Sequence, residues 1–518
     1  MIPLISDENL WATFSLKGND PPRTCLTKRL IVKKIPPDKL LVINSLSGAI
    51  DLFYADEWKK ISQCDIDQGF ESLPVSTYSF LTRRGYLFFD ANDEDHAFVS
   101  LMQYYRSKPS ELQNSIIPAL GCNFNCVYCF QPMSVRRHNL RMSEDQITTA
   151  HKIIGERISR SENKLLRVFG GEPLQLQNYS IIEKTLQFAS GKKLDVQITT
   201  NGFHLLEYIQ LFKRFRNVSV YVQVTIDGVS RIHDIRRVHA GGWPSFKRIV
   251  NGVDALSRLP NTDITIRHNI DSETLDEYSG LLAFVKEKRW HLKKNIQFQL
   301  SGLFKSYDKS ICFTDSSDAI DIIDLYNSRI VPDPELDEHR FTTTSFSSEA
   351  SYLATVFDFH VPGIHTRNDS FGPRVIYCHA AVDSAKYVFS PDGYIYNCLN
   401  LVGNKRFAIG RYSNGRIEID DSSIQMWSER TITGINECYG CEMATLCGGG
   451  CAAERIWKDG ELLKPSCHKD VKKRLLDRYL DEFIKRKLPS LLSSYKSQYR
   501  RKEGVGRRTR ITDGIALS

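Results

Sequence analysis

The sequence lacks any long hydrophobic run: no stretch of about 18 apolar residues, the length that spans a bilayer, occurs anywhere in the chain. Its first twenty residues also lack the basic segment followed by an apolar one that marks a secretory signal. We therefore expect a cytoplasmic protein with no membrane association. Hydrophobic residues make up 41% and charged residues 25% of the chain, which is typical of a folded protein. A length of 518 residues indicates several domains.

The chain has no basic surplus outside its C-terminal end. Residues 471–518 carry 14 Lys/Arg and 5 Asp/Glu, whereas the remainder carries 55 basic and 56 acidic residues. A basic patch on the fold is the usual electrostatic signature of nucleic-acid binding, so no nucleic-acid partner is expected. The local surplus predicts a solvated basic helix and tail, or alternatively a docking surface for an acidic partner.

Disulfides are not expected, although the chain contains 13 cysteines, because the cytosol keeps thiols reduced. Ten of these cysteines fall into closely spaced groups, and such spacing is typical of metal ligation. The other three are isolated and are predicted to be small buried hydrophobic residues: Cys25, Cys64 and Cys312.

Apolar patterning divides the chain into five segments. Residues 1–110 contain an extended pair and short helices, which predict a small winged-helix-like module. Residues 111–302 alternate six apolar strands with helical patterns, which predicts an α/β fold with a parallel sheet, a partial (βα)6 barrel. Residues 303–375 connect this barrel to a Cys- and Gly-rich domain, 376–470, and a basic helix and tail follow at 471–518.

Three cysteines follow the first barrel strand in the sequence CNFNCVYC: Cys122, Cys126 and Cys129. In such folds the active site lies on the loops at the carboxyl ends of the strands, where this motif falls. Three thiolates at this spacing indicate a metal site of one of two kinds. Structural zinc needs four ligands, and the nearest candidate for the fourth is His138. A four-iron cluster on three cysteines instead leaves one iron open to a further ligand.

The CNFNCVYC motif resembles the signature of the radical S-adenosylmethionine (SAM) superfamily. The resemblance implies a [4Fe-4S] cluster that binds SAM and cleaves it reductively to methionine and a 5′-deoxyadenosyl radical. It also implies an electron donor such as a flavodoxin or a ferredoxin. The cofactors would carry the difficult chemistry, while the protein would supply orientation, exclusion of water and the choice of hydrogen atom.

Segments that follow the later strands resemble the SAM-binding segments of that family, in the same order. Gly170, Gly171, Glu172 and Pro173 form a GGEP sequence, which the resemblance assigns to the SAM ammonium group. Two glycines permit a close backbone approach, and a carboxylate accepts hydrogen bonds from a cationic amine. The resemblance assigns further SAM contacts as follows: Tyr128 against adenine, Thr200, Asn201, Thr225 and Asp227 on the ribose and carboxylate sides, Arg237 on the carboxylate, and Asn269 at the fifth strand.

Seven more cysteines follow the barrel with the spacing of the SPASM extension, which carries two auxiliary [4Fe-4S] clusters. The resemblance assigns Cys438, Cys441, Cys447 and Cys467 to one cluster, and Cys378, Cys398 and Cys451 to the other. A cysteine that some relatives have just upstream of Cys378 is missing, so this second cluster has an open iron or a distant ligand such as Cys312. Paired cysteines are also common in zinc ribbons, which remain the alternative.

Enzymes that resemble this whole architecture mostly modify ribosomally made peptides or proteins, so we expect oxidative modification, in particular crosslinking, of a precursor peptide. The N-terminal module resembles leader-binding winged helices, which would add the peptide as a strand at the hairpin edge. A structural cap on the barrel is the alternative for this module.

Two other functions remain open. One is that of an anaerobic sulfatase-maturing, formylglycine-forming enzyme, although relatives of that kind place an Asp where this chain has Leu399. The other is a non-catalytic iron–sulfur electron carrier, which would not need the GGEP sequence.

Overall fold

The structure is a computed structural model that describes residues 2–5, 23–67, 69–107, 111–137, 139–271, 274–303, 324–344, 374–467 and 469–493. His138 and Cys312, most of the connecting segment and residues 494–518 lie outside these ranges. Within them, no helix combines the length and the apolar character that a bilayer crossing requires.

The N-terminal region combines an antiparallel sheet with three helices. Its elements are β1 (Ile2–Ile5), β2 (Cys25–Leu26), β3 (Leu30–Ile35), β4 (Lys39–Asn44), β5 (Ile50–Tyr54), α1 (Ala55–Asp67), α2 (Val75–Arg83), β6 (Leu87–Phe88) and α3 (Ala91–Ser107). The sheet has the order β1-β5-β4-β3, and β4 and β5 form the predicted hairpin. Its core includes a buried ion pair, Arg84 Nε to Asp51 Oδ2 at 2.6 Å.

A sheet of eleven strands forms the centre of the molecule, in the order β13-β12-β11-β10-β9-β8-β7-β14-β15-β16-β17. Its first seven strands along the chain are β7 (Gln113–Ile116), β8 (Leu165–Val168), β9 (Asp195–Thr200), β10 (Val220–Thr225), β11 (Thr262–Ile270), β12 (Ile296–Gly302) and β13 (Phe341–Thr344). Neighbouring strands in this set all pair in parallel. The six predicted apolar runs supply β7 to β12, so the predicted α/β class is confirmed, and β13 extends the parallel part.

Helices follow the parallel strands, and the longer ones each bury one apolar face. They are α4 (Met133–Arg137), α5 (Glu144–Ile158), α6 (Tyr179–Lys192), α7 (Leu205–Arg214), α8 (Arg231–Arg236), α9 (Phe246–Leu256) and α10 (Tyr278–Glu287). A capping box begins α5, because the Ser143 hydroxyl accepts from the Gln146 backbone N–H while the Gln146 side chain accepts from that of Ser143. Side chains of the parallel strands form an apolar core, in which Val196, Ile198 and Val224 are fully buried.

The Cys- and Gly-rich region continues the central sheet. Strand β14 (Lys386–Phe389) pairs in parallel with β7, and β15 (Tyr394–Tyr396), β16 (Ala408–Ser413) and β17 (Arg416–Ile419) follow in antiparallel order. Short helices come next, namely α11 (Asp421–Ser428), α12 (Asn436–Tyr439), α13 (Ala444–Cys447) and α14 (Ala452–Asp459), followed by the long basic helix α15 (Lys469–Arg486). Apolar residues of α15 share a core with β4 of the N-terminal sheet.

Candidate active site

The three cysteines of the CNFNCVYC motif lie on a loop after β7 that is fixed by a second segment. The backbone N–H of Asn125 donates to the Val238 carbonyl at 2.7 Å, and that of Val127 donates to the Arg236 carbonyl at 3.0 Å. Cys126 and Cys129 are electrostatic neighbours of Cys122, so the loop brings the three thiols together.

The raised pKa values of these thiols mean that they need a stabilising positive charge in order to act as ligands. Burial raises the pKa of Cys122, and the Glu172 carboxylate raises it further. Burial likewise raises the pKa of Cys126, against the opposing effect of Arg237. Only the thiolate ligates metal, and a bound metal ion supplies the positive charge that stabilises it. The donor set therefore fits an iron–sulfur cluster, which the three cysteines would hold.

A site for a single metal ion needs ligands that lie closer together than those of a cluster. Across the described ranges, no group of three or more His, Cys, Asp or Glu side chains has the geometry to hold one metal ion. The ligands of a four-iron cluster stand farther apart, because the iron and sulfide atoms of the cluster lie between them.

The GGEP segment runs directly beside the backbone that leads into Cys122. Gly171 donates its backbone N–H to the Ala119 carbonyl at 3.0 Å, and Glu172 donates to the Gly121 carbonyl at 3.0 Å. A Cβ at Gly171 would lie 2.2 Å from the Gly121 carbonyl oxygen, and Gly170 has a φ of 148°. Only glycine meets both requirements, so these two residues set the separation between the β8 loop and the cysteine loop.

Glu172 ties the GGEP segment to the end of β9. Its carboxylate is buried and accepts hydrogen bonds from the Leu174 backbone at 2.8 Å, the Thr200 hydroxyl at 2.5 Å and the Asn201 backbone at 2.6 Å. Burial raises the pKa of Glu172 to about 6, although these hydrogen bonds oppose the shift. A carboxylate has about four acceptor positions, so room remains for one donor from a ligand.

Asn201 carries this network on to the cysteine loop. Its side-chain amide donates to Asn123 Oδ1 at 2.8 Å and lies 3.9 Å from Cys122 Sγ. The Asn123 amide nitrogen is itself buried and has no hydrogen-bond partner among the residues that the structure describes. The carboxyl ends of β7, β8 and β9 thus converge on one polar cradle.

Tyr128 is the centre of a second network, a role that the sequence did not predict. Its hydroxyl donates to Asp227 Oδ2 and accepts from Arg237 Nη1 at 2.6 Å and from Asn269 Nδ2 at 3.1 Å. Asn269 also donates to Asp227 Oδ1 at 3.0 Å. Burial raises the pKa of Tyr128 well above its ordinary value, which keeps the hydroxyl proton in place. This network joins the cysteine loop to the ends of β10 and β11, where Thr225 is also buried.

Arg237 carries the positive charge of this cradle. Burial opposes its charged form, but Cys126, Tyr128 and Asp227 raise the pKa of Arg237 well above its ordinary value. Within the described ranges its buried Nε has no hydrogen-bond partner, which suits an anionic ligand such as a carboxylate. The preceding Arg236 is engaged elsewhere, because its Nη2 lies 2.9 Å from Asp271 Oδ2.

Aromatic rings pack against one another and against Phe124 of the cysteine loop. Phe124 contacts His239 at 5.4 Å between ring centroids, and His239 stacks on Phe203 at 4.5 Å. Sequence reasoning missed this support, because His239 lies more than a hundred residues from the motif and has no spacing signal of its own.

The seven later cysteines fall into two sets in the structure. Burial raises the pKa of Cys438 to about 12, and its electrostatic neighbours are Cys447, Cys441 and Cys467. Burial also raises the pKa of Cys451, whose neighbours are Cys398 and Cys378. These are the two sets that the SPASM resemblance assigns to separate clusters. Cluster binding by them stays a prediction.

Comparison with known proteins identifies the domain that carries the first site. The sequence profile of the radical SAM superfamily matches residues 116–285, the span that contains the cysteine loop and both hydrogen-bond networks. These residues are a radical SAM domain.

Curated relatives match part of the chain. A serine-type anaerobic sulfatase-maturating enzyme of Bacteroides thetaiotaomicron is 28% identical over 146 residues, 26% of this chain and 34% of the relative. The sporulation killing factor maturation protein SkfB of Bacillus subtilis is 25% identical over 163 residues, 31% of this chain and 36% of the relative. The chain thus spans about a third of the length of the curated relatives it matches.

Solved structures resemble a larger part of the chain. anSMEcpe with bound AdoMet matches 74% of this chain and 96% of its own, with a TM-score of 0.50 and 18% identity. anSMEcpe with bound AdoMet and the Kp18Cys peptide matches 75% and 100%, again with a TM-score of 0.50 and 18% identity. At this identity the likeness shows the fold alone.

Proposed function

We propose that this chain is a radical SAM maturase that oxidatively modifies a peptide or protein. The observation that carries the proposal is the pair of networks around the cysteine loop, one on Glu172 and one on Tyr128. In the part of the chain that the structure describes, they leave a free acceptor position for an amine and an unpartnered guanidinium nitrogen, on Arg237, for a carboxylate. An amino acid headgroup such as that of SAM presents these two charges next to each other.

The residues of the domain have distinct tasks in this proposal. Cys122, Cys126 and Cys129 hold a four-iron cluster, which when bound supplies the electron that cleaves SAM to methionine and a 5′-deoxyadenosyl radical. Glu172 orients the ammonium group of SAM. Arg237 and Asn269 hold the part of SAM that lies near Asp227. Buried Thr200 and Asp227 exclude water from the cradle. A flavodoxin or ferredoxin is the proposed electron donor, and the cytoplasm is the proposed location.

The seven later cysteines point to oxidative rather than redox-neutral chemistry. In this proposal they would hold two auxiliary four-iron clusters, which when bound would supply an acceptor for the electron that a substrate radical loses when its new bond forms. The substrate thereby loses one hydrogen atom to the 5′-deoxyadenosyl radical, then one electron to a cluster and one proton to solvent. A crosslinked peptide is the proposed product.

The proposed peptide site is the outer edge of β3, the last strand of the N-terminal sheet. A groove of about 410 Å³ lies along this edge, between Leu30, Ile31 and Val32 on one side and α15 on the other. Side chains of both charges line it, because Lys473 and Arg474 lie there together with Glu442 and Asp477, and Lys473 Nζ lies 2.8 Å from Glu442 Oε1. This lining suits a peptide of mixed charge that adds as a strand.

Formylglycine formation is the second candidate, favoured by the match to the sulfatase-maturating enzyme. Mass spectrometry separates the two after the reduced protein is incubated with SAM and a candidate precursor peptide. Crosslinking removes two hydrogen atoms and gives a product that does not react with hydroxylamine, whereas formylglycine is an aldehyde and forms an oxime. An unmodified peptide, in the presence of SAM cleavage, would exclude that peptide as substrate, and failure of every peptide class together with failure of SAM cleavage would favour a non-catalytic electron carrier.

A further inference from the structure

Arg430 is a buried cation between the two sets of C-terminal cysteines. It follows α11 and has only 3% of its surface exposed. Its Nη1 donates to the carbonyls of Leu462 and Lys464, and its Nη2 donates to those of Gly449 at 3.3 Å and Gly450 at 3.2 Å. Among the described residues no carboxylate pairs with it, so main-chain carbonyls are its hydrogen-bond partners.

The carbonyls that Arg430 binds belong to the loops that carry both sets of cysteines. Gly449 and Gly450 lie between Cys447, in the set of four, and Cys451, in the set of three. The two sets are therefore joined at this loop. The thiols that interact most strongly with the guanidinium also come from both sets: Cys451, Cys378, Cys438 and Cys447.

A buried guanidinium without a carboxylate is unfavourable unless another anion neutralises it. Carbonyl oxygens satisfy its N–H groups but do not balance its charge. Thiolate-ligated clusters on either side would provide the missing negative charge. Adding one electron to such a cluster adds one negative charge near a fixed cation, so the cation stabilises the reduced form and raises the reduction potential.

We propose that Arg430 is a positioning residue that acts as the shared counter-ion of both auxiliary clusters and raises the reduction potential of each. This inference rests on the proposed function, because it requires both clusters. In turnover the electron comes from the substrate radical, whose proton is released to solvent. The SAM-cleaving cluster of Cys122, Cys126 and Cys129 lies outside this arrangement and serves as an internal reference.

The test is an EPR-monitored redox titration of the full chain after anaerobic cluster reconstitution. Arg430→Gln removes the charge but keeps amide donors, and Arg430→Lys keeps the charge. Arg416→Met, which removes an exposed cation on β17, is the matched control. In Arg430→Gln the equilibrium constant for reducing each auxiliary cluster should fall at least about tenfold, which is about 59 mV for a one-electron couple. Arg430→Lys, Arg416→Met and the SAM-cleaving cluster should stay near wild type.

The outcomes separate this inference from the proposed function. Wild-type protein should contain about twelve irons per chain. A content of only about four would overturn this inference and the two auxiliary clusters, whereas SAM cleavage by the remaining cluster, and with it the core of the proposed function, would stand. Full iron in Arg430→Gln with unchanged potentials, or with a shift in one cluster alone, overturns the shared counter-ion. If Arg430→Gln loses iron, Arg430→Lys provides the test. A full iron content and unchanged reduction potentials in Arg430→Lys would then support the role of the charge. Iron loss in both variants would mean that Arg430 only holds the loops, and this result would overturn its role as a shared counter-ion.

Discussion

The radical SAM domain and the Cys- and Gly-rich region position their cysteines in different ways. In the first, the cysteine loop lies at the end of a parallel sheet, and side chains from four strand ends form hydrogen bonds around it. In the second, the cysteines lie on loops and on helices of four residues, α12 and α13, which are too short to be stable alone. The comparison teaches that the cradle around the first cysteine loop is formed by protein contacts, whereas the second region, under our proposal, depends on bound metal and on neighbouring elements.

Iron removal should separate the two regions most clearly. We expect amide hydrogen exchange in residues 436–467 to become faster by about a thousandfold in the chelated protein, because metal binding contributes folding free energy there. Exchange in β9 and β10 should change by less than about tenfold, since their apolar core is independent of metal. Exchange mass spectrometry of the full chain measures both, and equal loosening of the two regions would refute the contrast.

Asp227→Asn should destabilise the cradle even when metal is present. The substitution leaves buried Arg237 without its carboxylate, which lies 3.9 Å away, and should lower the free energy of unfolding by about 3 kcal/mol. Urea denaturation with a probe in the barrel measures the change. Asp263→Asn, at an exposed position on β11, is the control and should change it by less than about 0.5 kcal/mol.

Gly171→Ala tests the close approach of the GGEP segment to the cysteine loop. A methyl group there would lie within 2.3 Å of the carbonyl oxygens of both Leu120 and Gly121, so the loops must separate. We expect the rate of SAM cleavage to fall about a hundredfold, as for other displacements of about 1 Å in a site. Gly191→Ala on α6, where a Cβ meets nothing within 4 Å, should leave the rate unchanged. Similar rates in the two variants would show that the spacing does not matter.

Arg29→Met tests how the N-terminal region supports the cysteine-rich one. Arg29 is fully buried, and its guanidinium donates to the carbonyls of Tyr439 at 2.5 Å and Cys441 at 3.2 Å. Its loss should cost about 2 kcal/mol and increase proteolysis in residues 436–447. Lys28→Met removes a cation from an exposed pair with Asp95 and should cost less than about 1 kcal/mol. Equal sensitivity of the two variants to protease would contradict a specific role for Arg29.

The sequence predicts the parallel sheet well, because each strand is an apolar run followed by a helical pattern. It does not predict that β14 joins β7, since the four residues of β14 carry no signal of their partner. The same limit applies inside the site. The order of the GGEP and TTNG segments indicates a SAM cradle, but not that the Tyr128 hydroxyl connects Asp227, Arg237 and Asn269.

The cysteine-rich region shows this limit more strongly. The SPASM resemblance divides the seven cysteines into two sets, and the structure brings the same sets together. Neither Arg430 nor Arg29 has any local pattern that marks it, because each acts on residues that only the tertiary fold brings near. Buried charges of this kind are recognised from their surroundings rather than from their neighbours in sequence.

Reductive SAM cleavage tests the central claim most directly. The anaerobically reconstituted full chain is reduced with dithionite and given SAM, and 5′-deoxyadenosine and methionine are quantified by chromatography. We expect both products in equal amounts from the wild-type protein and neither from Cys126→Ser. A wild-type protein that carries a reduced cluster on Cys122, Cys126 and Cys129 and yet forms no 5′-deoxyadenosine would contradict the account.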